Sequence, residues 1–163
     1  MRERLPIMRW ISLAFWILLC FVVAAFGSRW TAAEIPSWYR TLVRPAIAPP
    51  NWVFAPVWTT LYLLMAIAAW LVAQSAPSPQ RTVGLTLFLL QLALNLAWSW
   101  IFFGRHQLGM ALAEVLLLWV AIGVTTLSFR QSSAWAAGLL VPYWAWVSFA
   151  SVLNEEFWRL NRS

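Results

Sequence analysis

Five apolar runs constrain this chain more than any other feature. They cover residues 10–27, 52–73, 82–103, 108–129 and 134–153, and together they hold one charged side chain, Glu114. About 20 apolar residues in a helix cross the hydrocarbon core of a bilayer. Arg9, Arg29, Arg81, Arg105, Arg130 and Glu155 stand at or beyond the ends of the runs. No run alternates polar and apolar residues with period two. Lipid offers no partner to an unpaired backbone group, so the spans must be helical. The sequence therefore predicts an all-α, multi-pass integral membrane protein, a bundle of five transmembrane helices at about 8–28, 52–73, 82–103, 108–129 and 134–157, in a single domain over 1–163.

Composition agrees. Of the residues, 63% are hydrophobic and 10% charged, against roughly 25% charged in a soluble domain. That is too little polar surface to cover a globule of this size in water. The eleven cationic side chains are all arginine, and the net charge is +6. They are spread through tails and connectors without forming a basic stripe, so membrane-surface anchoring explains them and nucleic acid is not an expected partner. Arg2, Arg4, Arg9, Arg81 and Arg130 fall on one side of the bundle; Arg29, Arg40, Arg44, Arg105, Arg159 and Arg162 fall on the other. This near balance sets no orientation. Arg2, Arg4 and Arg9 followed by an apolar stretch and Val23-Ala24-Ala25 also fit a cleaved leader. The run is longer than a usual signal core and carries Trp10 and Trp16, so a retained helix is the expectation. The lone Cys20 and lone His106 provide neither an intrachain disulfide nor a metal cluster.

Three connectors are tight, at 75–81, 104–107 and 130–133, which makes neighbouring helices antiparallel. The first, 28–51, is long. It holds Trp30, Trp38 and Tyr39 to bury, and Pro36, Pro45, Pro49 and Pro50 to stiffen it. It reads as an ordered lid on the same side as the C-terminus.

Polar residues inside spans are the positions that point to function. Gln91, Asn95, Trp98 and Phe102 form one helical stripe; Trp58, Tyr62 and Met65 form a second; Tyr143, Trp146, Ala150 and Asn154 form a third. Facing lipid, these amides, phenols and indoles would be costly. Facing one another, they line an apolar cavity with a few hydrogen-bonding groups, suited to a flat hydrophobic ligand. The alternative is interhelical glue, with Asn and Gln bonding across helices. Fourteen tryptophans exceed what two interfacial belts need and favour the cavity. Glu114 is a candidate intramembrane acid for ligand, proton or buried-pair chemistry. Pro56 and Pro142 are candidates for shaping the cavity mouth. No nucleophile–base set, paired intramembrane carboxylates or phosphate loop is present, so hydrolysis and phosphoryl transfer are not expected. Gly84, Ala93 and Ala97 make no clean small-residue repeat, and no dimer face is assigned to them.

The same residues carry a family resemblance. Gly27-Ser28-Arg29, Trp38-Tyr39, Leu42, Pro45, Pro49-Pro50-Asn51-Trp52-Val53-Phe54, Pro56, Trp58 and Leu61-Tyr62 come first. Gln91 to Asn95, Trp98 and Phe102-Phe103-Gly104 follow, then Pro142-Tyr143, Trp146, Phe149-Ala150, Leu153-Asn154 and Trp158-Arg159. In this order they resemble the TSPO/MBR (translocator protein, tryptophan-rich sensory protein) family over roughly residues 8–162. The resemblance implies a receptor, sensor or carrier that binds porphyrins as ligand and needs no obligatory cofactor. In many members it also implies sterols and synthetic aromatic ligands, and frequent homodimers. It implies a bacterial membrane, or the mitochondrial outer membrane in a eukaryote. Positions matching the family pocket are Trp58, Tyr62, Asn95, Trp98, Trp146, Ala150 and Asn154, with Pro49, Pro50 and Trp52 at the end of the lid, and Glu114 matches a place where some relatives carry Asp. Two departures stand out. Ile47 replaces the lid tryptophan implicated in light-driven porphyrin degradation by some members. Glu155 stands where the cholesterol motif has Tyr. Degradation and transmembrane transport remain the alternatives to binding.

Overall fold

Prolines and serines set the helix ends. The structure is a computed structural model describing residues 6–162; Arg2 and Arg4 lie outside the described residues. Helix α1 spans Pro6–Glu34, α2 Phe54–Gln74, α3 Pro79–Ser99, α4 Leu108–Ser132 and α5 Ala134–Asn161. Ser78 caps α3 by accepting from the Arg81 amide at 3.1 Å, and Ser133 caps α5 by accepting from the Ala136 amide at 3.2 Å. Each cap satisfies one of the amides that a helix start leaves open. All five helices are long and apolar enough to cross a membrane, and no strand occurs among the described residues.

The first helix is longer than its apolar run. It continues past residue 28 to Glu34, because nothing between Arg29 and Glu34 breaks a helix before Pro36 disfavours continuation. The first connector is therefore shorter than the sequence suggests, and it contains two 3-10 turns, Trp38–Thr41 and Asn51–Val53. Helices α4 and α5 likewise outrun their apolar cores, ending at Ser132 and Asn161.

The helices close a ring in the order α1, α2, α5, α4, α3, back to α1. Apolar side chains cover its outside: Ile7, Trp10, Phe15 and Leu18 on α1 and Leu116, Leu117 and Val120 on α4 are all exposed, as lipid contact requires. Close helix approach comes from small residues. A Cβ on Gly123 would stand 2.8 Å from Trp144 Cζ2, and one on Gly109 would stand 2.9 Å from Trp158 Nε1. Two indoles of α5 thus lie directly on glycines of α4.

Along its axis the bundle differs from end to end. Away from the connector it is solid: Cys20, Met65, Ala66, Ala69, Phe88, Ile122 and Phe129 are fully buried. There α1 is tied to α2 by Trp70 Nε1 donating to the Arg9 carbonyl at 3.1 Å and Gln74 Nε2 donating to Ser12 Oγ at 3.3 Å. Toward the connector a second aromatic cluster forms around Tyr39, Phe102, Phe103 and Phe157.

Candidate functional site

Where α3 meets its C-terminal turn, the helix widens. Residues Trp100–Gly104 form a π turn, closed by the Arg105 amide donating to the Trp100 carbonyl at 2.9 Å. Such turns put an extra residue into a helix. Here both Phe102 and Phe103, neighbours in sequence, are buried, with ring centroids 4.7 Å apart. Trp98 packs 5.1 Å from Phe102.

These rings help to wall a cavity of about 500 Å³ between the two packed clusters. Its aromatic walls include Phe54 and Trp58 of α2, Trp98 of α3, Phe102 of the π turn, and Trp146 and Phe157 of α5. Eight of the eleven residues in the span stripes line it: Trp58, Tyr62, Asn95, Trp98, Phe102, Trp146, Ala150 and Asn154. Several cavity-lining positions on α1 and α2 are also exposed, namely Ala25, Ser28, Ala32, Ala55 and Thr59. They are small, and they put an opening on the membrane-facing side between these two helices.

The polar groups of the stripes are linked. Tyr62 Oη donates to Asn95 Oδ1 at 2.6 Å, and Asn95 Nδ2 donates to Tyr143 Oη at 3.0 Å. This chain joins α2, α3 and α5. A second chain runs from Trp98 Nε1, which donates to Asn154 Oδ1 at 3.0 Å, to Asn154 Nδ2, which donates to the Leu108 carbonyl at 2.9 Å. The two readings of the asparagines, cavity wall and interhelical glue, therefore hold together. Each amide is bonded across helices, and each also edges the cavity, keeping spare lone-pair and N–H capacity.

Several sequence-picked positions lie elsewhere. Tyr143 is 0% exposed and does not reach the cavity; it stands behind Asn95 and orients it. Glu114 is not on the wall either, and both its carboxyl oxygens are buried without a hydrogen-bond partner. Pro56 and Pro142 are exposed and off the wall, so neither shapes the mouth directly.

In the connector, Tyr39 is the aromatic residue that lines the cavity. Trp38 turns away and stacks on His106, with ring centroids 4.1 Å apart, and His106 Nε2 lies 3.2 Å from Glu34 Oε2. Pro45 is buried, Pro49 half-buried and Pro50 exposed. Ile47 is 48% and Trp52 75% exposed, both off the wall. The residue between Pro50 and Trp52, Asn51, lines the cavity in their place. A 3-10 turn starting at Asn51 rotates its neighbours outward, and a helical reading from residue 52 does not anticipate this.

The connector is held at several points. The Val43 amide donates to Asn161 Oδ1 at 2.8 Å, and Asn161 Nδ2 donates back to the Val43 carbonyl at 3.1 Å. Tyr39 packs on Phe103 and Phe157 with centroids 5.8 and 5.2 Å away. Arg44 donates to the Pro49 carbonyl. His106 itself takes a left-handed backbone, φ 55, which costs a non-glycine residue about 1–2 kcal/mol. The stack on Trp38 and the Glu34 contact offset that strain.

The first helix is the part of the site that the polar stripes missed. Phe21, Ala24, Ser28 and Thr31 of α1, with Ile35 just past its end, line the cavity at helical spacing. The signal was available as a row of small and hydroxyl residues on one face of the run, but no amide or indole marked it.

An all-α, five-span membrane protein with an aromatic, ligand-sized cavity beneath an anchored connector is the class that fold and site define. The family model described as TspO/MBR family matches residues 16–159, and the chain belongs to that family. It is 43% identical over 152 residues to the tryptophan-rich protein TspO of Chlorobaculum tepidum, covering 93% of this chain and 96% of that one. It is 44% identical to the translocator protein of Homo sapiens, over 87% of this chain and 83% of the relative. It is 40% identical to the tryptophan-rich sensory protein of Cereibacter sphaeroides, over 90% and 92%.

Proposed function

We propose that this chain is a membrane receptor or carrier that binds a flat, hydrophobic ligand, a porphyrin in the first instance, in the cavity between α1, α2, α3 and α5. The observation that carries the reading is a hollow of about 500 Å³ walled by indole and phenyl faces, next to a core that is fully buried at the far end of the bundle. Pockets for small ligands are mostly apolar, hold a few placed polar groups and fall in this size range. Stacking contributes about 0.5–1.5 kcal/mol per aromatic pair beyond area burial. Trp58, Trp98 and Trp146 together with Phe54 would then support micromolar affinity, near −8 kcal/mol. The small-residue opening between α1 and α2 suits a ligand that partitions into the bilayer. The names of the relatives, translocator and sensory protein, are consistent with a binding role.

Titration of purified protein with protoporphyrin, followed by tryptophan quenching, tests this. Wild type should saturate at micromolar ligand, and Trp146→Ala and Phe54→Ala should weaken binding. Unchanged titrations in both well-folded variants would remove the cavity as the site.

A further inference from the structure

The connector between α1 and α2 holds a small cavity of its own, about 180 Å³ in volume. Arg40, Leu42 and Arg44 line it, and Tyr39, Asn51 and Phe157 divide it from the large cavity. Arg44 is braced by donating to the Pro49 carbonyl. Burial raises the pKa of the Tyr39 phenol, and the Arg44 charge lowers it, so the guanidinium acts on the pocket wall. Among the described residues, neither arginine has a carboxylate within ion-pair distance: Glu34 is engaged by His106 and Glu156 by Arg159. Two cations therefore border a pocket that supplies no anion. The pocket also carries an acceptor without a donor, because Asn51 Oδ1 is buried and has no hydrogen-bond partner. Around the pocket the connector is apolar on its outer side, where Val43, Ile47 and Trp52 are exposed. At the end of a transmembrane bundle this is the level of the lipid headgroups, where indoles and arginines collect.

We infer that the connector pocket is a site for the headgroup of an anionic phospholipid whose phosphodiester carries a polyol, of the phosphatidylglycerol type. The phosphate pairs with Arg40 and Arg44, because the planar guanidinium fork matches two phosphate oxygens with parallel bonds. A headgroup hydroxyl donates to Asn51 Oδ1. A phosphodiester without a hydroxyl offers that oxygen no donor, and neither does choline. An ammonium headgroup offers a donor but sets a third cation beside the two guanidinium groups, which repel it. The acyl chains lie outside, against Val43, Ile47 and Trp52. The site does not depend on the receptor reading: it takes a lipid at the connector, whatever fills the large cavity.

The test offers the full chain, in a neutral detergent, three lipids with identical acyl chains: phosphatidylglycerol, phosphatidylmethanol and phosphatidylcholine. Bound lipid is counted by native mass spectrometry. Phosphatidylmethanol has the charge of phosphatidylglycerol and lacks its hydroxyls. Wild type should bind phosphatidylglycerol about tenfold more tightly than phosphatidylcholine, the effect of two basic side chains at the interface. It should bind it about fivefold more tightly than phosphatidylmethanol, the effect of one hydrogen bond. Arg40→Gln should cut the first preference to about a third. Arg44→Gln should act the same way, with the thermal midpoint measured alongside because Arg44 also braces the connector. Asn51→Leu should remove the second preference and keep the first. Arg130→Gln, on the opposite side of the membrane, should change neither. Equal binding of phosphatidylglycerol and phosphatidylcholine to wild type overturns the inference. So does an equal loss of preference in Arg130→Gln and Arg40→Gln, which would trace it to net charge. Equal binding of phosphatidylglycerol and phosphatidylmethanol overturns the polyol assignment. Displacement of the lipid by inorganic phosphate at matched concentration would make the pocket a soluble-anion site, against the inference.

Discussion

The two ends of this bundle are built from similar residues and behave as different materials. At the end away from the connector, Phe88 is fully buried, lying 5.8 Å from Trp16 and 5.8 Å from Phe129 by ring centroids. Ala66, Ala68 and Ala69 of α2 are fully buried in the same cluster. At the connector end, Phe54, Trp58 and Trp146 are equally aromatic but only half-buried, and they border a hollow. The difference lies in what faces them. At the solid end, buried alanines of α2 fill the space beside the stacked rings. At the open end, the rings face the small residues of α1 across the hollow, and no side chain fills the space between them. In a bilayer, helices gain nothing from hiding apolar surface that lipid already covers, so packing and interhelical hydrogen bonds decide where the bundle is tight.

Truncation should break this contrast most visibly at the solid end. Phe88→Ala should destabilise by about 3 kcal/mol, because its neighbours cannot collapse into the space, and a thermal melt in detergent should show a large drop. The equivalent change at the open end, Phe54→Ala, should leave the melt nearly in place and weaken ligand binding instead. Equal losses of stability from both would mean that the hollow is not empty in the folded protein. Next in size is the polar chain between the two ends. Asn95→Leu removes the partner of both Tyr62 and Tyr143 and should cost about 1–2 kcal/mol, read from the same melt. Smallest in stability is Asn161→Ala, which releases the double bond to Val43. Its effect should be within about 1 kcal/mol, but amide exchange over residues 36–50 should speed up relative to wild type. If exchange there is unchanged, the connector is held by its other contacts, those of Tyr39, Trp38 and Arg44.

Much of this was legible in the sequence. The inward stripes on α2, α3 and α5 followed from helical spacing and the cost of polar groups in lipid, and the structure places Gln91, Asn95 and Asn154 inside the bundle. The connector was harder to read. Its residues carry no periodicity, so the burial of Tyr39 and the outward turn of Trp52 could not be read from spacing.

The sequence by itself determined the number of spans, their helical form, the membrane as solvent and the family, because hydropathy, charge placement and motif order act along the chain. Only the tertiary structure decided that Tyr143 supports the wall without forming part of it, that α1 supplies one side of the cavity, and that Asn51 reaches it where Trp52 does not. Those facts depend on how far apart two helices stand, and that distance is set by side chains far separated in sequence.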